Sequence, residues 1–239
     1  VMKTTVVIPT YNERENIGDL VNFILELNIE GLNILVVDDN SPDGTGQIVS
    51  DIGKNNPSVN LLTRKKKRGR GFAGIEGFQR ACNEGSDYII EMDGDFSHHP
   101  RYIPDFLEKI PCYDMVIGSR FVPGGQDEDR GLYRRIVTTL AGIYIRTFLG
   151  INIRDVSSGY RCFKRHVFEL VDLEDLISAG PTIVTEILYK ARLKNLNMFE
   201  IPIIFRDRVR GKTKLDYITL LESLVMVLRL RQMHKKGII

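Results

Sequence analysis

The first hundred residues alternate two patterns of apolar positions. Short runs rich in Val and Ile occur at 3–8 (KTTVVI), 33–38 (NILVVD), 59–62 and 88–92 (YIIEM). Continuous apolar runs of this length predict strands covered on both faces. Between them Ile17, Leu20, Val21, Ile24 and Leu25 recur at helical spacing, as do Phe72, Ile75, Phe78 and Cys82. Strands alternating with such helices predict an α/β fold, a mostly parallel sheet flanked by helices. Asp43 is placed to cap the second helix. A strand at Met115–Gly118 extends the sheet. Residues 119–131 (SRFVPGGQDEDRG) are polar and Gly-rich and predict a mobile loop. A helix at about 132–149, a strand near 160–163, a helix at about 183–194 and a strand at 199–205 follow. A last amphipathic helix runs from about Leu215 to Met233, dividing the chain into a domain over 1–214 and a helix and tail over 215–239.

Composition narrows the class. The 239 residues are 43% hydrophobic and 27% charged, near the globular average, which excludes disordered, collagen-like and coiled-coil chains. Lys and Arg number 33 against 31 acids, a net charge of +2. That balance argues against bulk binding of nucleic acid, so positive charge must act through local clusters. Cys82, Cys112 and Cys162 form neither a disulfide framework nor a zinc pattern and read as buried thiols in a reducing compartment. Lys3 leads straight into an apolar strand, so no secretory signal is expected. The uncharged stretch Ile136–Ile145 is about half the length a spanning helix requires, so no membrane span is expected in these residues.

Candidate chemistry follows from the strand ends. In open parallel sheets ligands bind beyond the carboxyl ends of the strands. Those ends carry Pro9-Thr10-Tyr11-Asn12-Glu13, Asp38-Asp39-Asn40-Ser41-Pro42-Asp43 and Asp93-Gly94-Asp95-Phe96-Ser97-His98-His99. One acidic turn is ordinary; three on one edge suggest a site. Asp93 and Asp95 repel unless a cation lies between them or one is protonated, and magnesium or manganese takes one or two carboxylates plus phosphate oxygens. His98 and His99 read as orienting or capping groups rather than ligands. Gly69-Arg70-Gly71-Phe72-Ala73-Gly74 matches a dinucleotide fingerprint, but it does not occupy the first strand–helix turn, and a basic run precedes it, six Lys or Arg within 64–70. That run is a solvated loop or a phosphate-holding one. In the second half Arg120, Arg134, Arg135, Arg154, Arg161, Arg206, Arg208, Arg210, Lys212 and Lys214 fall in predicted loops or at helix starts, suited to a second anionic substrate.

PTYNERENI, VVDDNSPDGT, the Arg-Lys-Lys-Lys-x-Gly-x-Gly loop, MDGDFSHHP, GSRF, SSGYR and DRVRGKTKL together resemble the dolichol-phosphate mannose synthases, members of family 2 glycosyltransferases. The resemblance runs from about Lys3 to Leu215. It implies a GT-A, Rossmann-like fold and transfer of mannose from GDP-mannose to dolichyl or another polyprenyl phosphate, with inversion at the sugar carbon. The product would be dolichyl phosphate mannose for glycosylation. By the matching motifs Pro9, Tyr11, Glu13, Val37 and Asp39 would hold the nucleotide, with Asp93, Gly94 and Asp95 at the diphosphate. Mg2+ or Mn2+ would be held by Asp93, Asp95 and Ser97. Arg120, Arg134 and Thr138 would line the acceptor-phosphate site, closed by Arg208 and Lys214, and Asp95, Arg120 and Arg134 would carry catalysis. The chain departs from the pattern at Gly94, where Ala is common, at Arg70, which replaces the Leu of a Gly-Leu-Gly loop, at Ser97 and at Thr138.

Two rivals remain at this level: a polyprenyl-phosphate glucosyltransferase using UDP-glucose, and a non-catalytic nucleotide-sugar-binding subunit. Metal-dependent turnover separates the second, and a panel of nucleotide sugars the first. A lipid acceptor implies attachment at the cytosolic face of a membrane. The last helix carries Tyr217, Leu220, Leu221, Leu224, Val225 and Leu228 on one face, with Arg229, Arg231, Lys235 and Lys236 at its end, which suits a membrane surface. Whether an anchor is encoded beyond residue 239 or supplied by small transmembrane partner subunits is left open by the sequence.

Overall fold

A computed structural model describes residues 2–65, 68–128, 131–178, 180, 182–206 and 217–237, with the side chains at 132, 134 and 217–221 outside that description. In chain order the first half contains β1 (Thr4–Thr10), α1 (Arg14–Glu26), β2 (Leu32–Asp38), α2 (Thr45–Gly53), β3 (Val59–Thr63), α3 (Arg70–Asn83) and β4 (Tyr88–Glu91). The second half contains α4 (Ile103–Lys109), β5 (Met115–Ser119), β6 (Gln126–Asp127), α5 (Leu132–Leu149), β7 (Arg161–Lys164), α6 (His166–Val171), α7 (Ile183–Leu193), β8 (Met198–Pro202), β9 (Ile204–Phe205) and α8 (Tyr217–Lys235).

The main sheet has the order β3-β2-β1-β4-β7-β5-β8. Six strands run the same way, and β7 is antiparallel to both its neighbours. Side chains alternate across this sheet. Val7, Val37, Ile89 and Phe163 meet α3, α5, α6, α7 and α8 on one face. Val6, Ile8, Val36, Ile90 and Cys162 meet α1, α2 and α4 on the other. Both faces are thus covered, which explains why these strands read as unbroken apolar runs. Helix α3 lies very close to the sheet: a Cβ on Gly77 would come 2.4 Å from Val7 Cγ1 and 3.0 Å from Val37 Cγ2.

Several expectations change. The strand at 199–205 is two strands: β8 pairs with β5, and after Pro202 the chain turns so that β9 pairs with β6 in a separate ribbon. That ribbon orders part of the 119–131 segment, with Gln126 N donating to Ile203 O and Glu128 N to Phe205 O. Helices α4 and α6 are too short for the apolar spacing to declare them. Of the cysteines, none of which is bridged, Cys162 is buried, Cys82 half-buried and Cys112 exposed. Helix α8 is not amphipathic in the simple sense: Val227 and Leu230 are buried in the core, while Val225 and Leu228 are 56% and 51% exposed.

Candidate active site

The carboxyl ends of β1, β2 and β4 open on one edge, and their loops are locked together by side chains. Asp38 Oδ1 accepts from the Thr10 and Ser41 hydroxyls (3.1 and 2.5 Å), and Ser41 Oγ accepts from Asn12 N at 2.9 Å. Asp43 starts two helices at once: Oδ1 accepts from Thr45 N (3.0 Å) and Oδ2 from Arg14 N (3.1 Å). Burial pushes the Asp43 carboxyl up, but the bonds from Thr45 and Arg14 outweigh it and hold it below its ordinary value. The N-cap residue of α2 is Gly44, so Asp43 caps from one residue further out than expected. Asp38 and Asp43 are therefore scaffold, and Asp39 is the member of this loop that faces the site.

A cavity of about 220 Å³ lies between these loops, lined by Pro9, Tyr11, Glu13, Asp39, Arg70, Asp93, Gly94 and Asp95, with Thr10 and Ala73. Seven of the eight residues expected at the donor converge there. Val37 does not: its side chain is fully buried beneath α3. Part of the basic run turns inward. Arg64 ion-pairs with Asp39 and lies 3.2 Å from Glu76, both arginine and aspartate being buried. Gly69 N donates to Asp39 Oδ2 at 2.8 Å. Arg68 Nη1 donates to the Tyr11 hydroxyl (2.7 Å) and stacks over its ring at 4.6 Å. Lys66 and Lys67 lie outside the described residues.

The Asp93–Asp95 turn is held from several sides. Arg70 Nε and Nη2 approach Asp93 Oδ1 at 2.9 and 2.8 Å, and Nη1 approaches buried Glu91 at 3.2 Å. Burial, opposed by Arg70 and Arg161, pushes the Glu91 carboxyl up. Asp95 Oδ1 accepts from Ser97 N and Oγ at 3.0 and 2.6 Å. His98 is buried and stacked on Tyr160 (5.0 Å), and its Nδ1 accepts from Asp93 N at 3.0 Å. Burial pulls its imidazole below the ordinary value against the pull of Asp93 and Asp95, which suits an acceptor nitrogen. His99 Nδ1 accepts from Arg101 N and caps the turn at 100–102. The two histidines thus orient and cap.

The donor set fits a hard cation. Asp93 and Asp95 bring carboxylate oxygens to one cavity, with the Ser97 hydroxyl bonded to Asp95. Among the described residues no group of three or more His, Cys, Asp or Glu gathers as a metal nest. Two carboxylates completed by phosphate and water oxygens is the coordination that magnesium and manganese favour at diphosphates.

A second cleft, about 590 Å³, lies beside it, lined by Arg120, Phe121, Gly125, Gln126, Asp127, Glu128, Arg135 and Thr139. Arg120 is fixed by a forked pair with Asp155 (Nε–Oδ2 2.8 Å, Nη2–Oδ1 2.7 Å), and Nη2 also donates to Ser157 Oγ at 2.7 Å. Its backbone N–H donates to the same carboxylate at 3.0 Å. Of the acceptor residues expected, Arg120 lines this cleft and Thr138 is half-buried outside its lining, where Thr139 takes part instead. The Arg134 side chain, Arg208 and Lys214 lie outside the described residues. Arg161, counted among the loop cations, is fully buried and bonds the Val184 and Val156 carbonyls. Sequence reasoning missed Asp155, Glu91 and the inward turn of Arg64 and Arg70. Segment 155–161 joins the two sites: Asp155 and Ser157 hold Arg120, while Gly159 abuts Arg70.

Residues 5–171 match the family described as Glycosyl transferase family 2. The chain is 35% identical over 228 residues to the undecaprenyl-phosphate mannosyltransferase of Micrococcus luteus, covering 95% of this chain and 93% of that one. It is 35% identical to the polyprenol monophosphomannose synthase of Mycolicibacterium smegmatis (94% and 85% covered) and 37% identical to the dolichol-phosphate mannosyltransferase of Pyrococcus furiosus (96% and 64%). Among solved structures, glucosyl-3-phosphoglycerate synthase from Mycobacterium tuberculosis, in complex with Mn2+, UDP and glucosyl-3-phosphoglycerate, superposes with a TM-score of 0.71 at 18% identity, over 96% of this chain and 80% of that one. That likeness bears on the fold, which is the expected GT-A architecture.

Proposed function

The chain belongs to glycosyl transferase family 2, and from that membership we propose that it transfers mannose from GDP-mannose to the phosphate of dolichol or another polyprenol. The observation that carries the reading is the pair of clefts on one sheet edge. One combines the Asp93–Asp95 turn with inward-facing arginines, and the other is walled by Arg120, Arg135 and Thr139. Two anionic substrates need two such places. The mannosyltransferase relatives point to the sugar and to the lipid class.

A phosphate monoester has its second pKa at about 6, so the acceptor is a nucleophile at neutral pH without a base. Its oxygen would form a bond to the anomeric carbon while the bond to the nucleotide's diphosphate breaks, and the electron pair leaves with GDP. Displacement from the opposite face inverts the sugar carbon. A bound Mg2+ or Mn2+ would neutralise the leaving diphosphate, held by Asp93 and Asp95 beside Ser97. Tyr11, Asp39 and Arg68 would hold the nucleotide, and Arg70 would face the diphosphate. On the acceptor side Arg135 and Thr139 would meet the lipid phosphate, with Arg134, Arg208 and Lys214 as further candidates. Arg120, fixed by Asp155, would set the wall against which the phosphate lies.

Membrane attachment belongs to the same proposal. Tyr133, Ile136, Leu140 and Ile143 are 49–63% exposed and lie along one face of α5. Val225 and Leu228 are exposed on α8, which packs on α5 through the Tyr144 hydroxyl and Leu224 O, 3.4 Å apart. Exposed Arg229, Arg231, Lys235 and Lys236 border them. No helix among the described residues is long and apolar enough to cross a membrane. The surface would lie in the interface of an anionic leaflet, on the cytosolic side where the nucleotide sugar is expected.

The test offers radiolabelled GDP-mannose and UDP-glucose with a polyprenyl phosphate and counts product in the organic phase. Metal-dependent mannosyl lipid is expected, and Asp95→Ala should lower turnover by about 100-fold or more with the fold intact. Greater product from UDP-glucose would select the glucosyl reading; no lipid product from either would reject transfer.

A further inference from the structure

The donor cavity carries a cation of its own against the first carboxylate of the Asp93–Asp95 pair. Arg70 grips Asp93 Oδ1 with Nε and Nη2 at 2.9 and 2.8 Å and reaches Glu91 with Nη1 at 3.2 Å. Bonds this short between charged groups are the strong kind. Room for them is reserved, since a Cβ at residue 159 would stand 2.3 Å from Arg70 Nη2. Glu91 has a second counter-charge in Arg161, its cross-strand partner on β7. Arg70 can therefore turn away from Asp93 without leaving Glu91 unbalanced. Although burial opposes it, the field of Asp93 and Glu91 raises the guanidinium's pKa above its ordinary value.

We propose that Arg70 competes with the divalent ion for Asp93, so that the ion is taken up together with the nucleotide diphosphate rather than ahead of it. The inference rests on the metal and diphosphate reading above. A guanidinium bonded to the carboxylate neutralises it and repels an incoming dication. A diphosphate supplies new anionic oxygens for arginine and ion alike, and the competition is lifted. Nucleotide and ion then raise each other's affinity by one common factor, and Arg70 sets part of it.

The experiment titrates Mn2+ alone into the full chain and follows the free ion by electron paramagnetic resonance, with and without GDP. The parent protein should bind Mn2+ weakly alone and tightly with GDP. Arg70→Leu should bind Mn2+ about tenfold more tightly without nucleotide, and the enhancement by GDP should shrink. Arg70→Gln, which keeps a donor for Glu91, should behave alike and serves if leucine unfolds the protein. Arg70→Lys should stay near the parent. Nucleotide-free affinity that is unchanged or weaker in both neutral variants overturns the proposal while leaving the metal reading in place. Absence of Mn2+ binding in the parent with GDP and with UDP alike would overturn the metal reading and this inference with it.

Discussion

Arg120 and Asp155 form an ion pair with side chains 5% and 0% exposed. Burial pushes the Asp155 carboxyl up, but Arg120 and the Ser157 hydroxyl outweigh it, and the net direction is below the ordinary 3.8. A carboxyl depressed by folding stabilises the protein above its unfolded value and loses that contribution as pH falls through the folded one. Removing one member of such a pair costs about 3–5 kcal/mol. Asp155→Asn should therefore lower the melting temperature at pH 7 and flatten its decline below about pH 4; melting curves from pH 7 to 2.5 check this, and parallel acid branches would refute it. The pair also explains which residues could be read beforehand. Asp93, Gly94 and Asp95 are legible because three consecutive residues declare a carboxylate pair at a strand end. Asp155 is not, because an isolated Asp acquires meaning only from the loop that folds against it. The same holds for Arg70, whose partners Asp93 and Gly159 lie on two other loops. Thr138, named by the motif match, and Thr139, which lines the second cleft, are adjacent on α5.

Helix α3 sits on β1 and β2 because Gly77 has no side chain. A Cβ there overlaps Val7, which is fully buried and packed. Gly77→Ala should cost about 1–3 kcal/mol through overpacking, outweighing the gain in helix propensity of about 1 kcal/mol. Chemical denaturation measures it, and a stabilised variant would mean the helix shifts freely. Such a shift would carry Arg70 and Gly69, at the start of the same helix, away from Asp93 and Asp39. Element identity was largely legible: β1 to β5 and the helix at 132–149 fall where the apolar spacing puts them. Strand order was not. The apolar run at 160–163 looks the same whether it joins a parallel or an antiparallel neighbour, so nothing in it announces β7 between β4 and β5. The long-range pairing of β6 with β9 likewise leaves no local trace.

At the scale of the whole molecule, the outward faces of α5 and α8 give the protein a side that water does not favour. Burying an exposed Leu in an apolar medium is worth roughly 1.5–3 kcal/mol. Leu140→Asp with Leu228→Asp should abolish flotation with vesicles of anionic lipid while leaving GDP binding and the melting temperature near those of the parent. Undiminished flotation would assign these faces to another partner. Deleting α8 is a poorer test, because Val227 and Leu230 belong to the core. The position of β7 has a further consequence, for biosynthesis. Among the described residues strand β5 pairs with β7 and β8 alone, both later in the chain. As the polypeptide leaves the ribosome, the apolar segment Met115–Ser119 has no edge to join until residues 161–164 and 198–202 emerge. At about 5–20 residues per second β7 follows after roughly 2–9 s and β8 after roughly 4–17 s, a wait spent with a sticky strand uncovered. Insertion of β7 then closes the sheet and brings Gly159 to Arg70 and Asp155 to Arg120 in the same event.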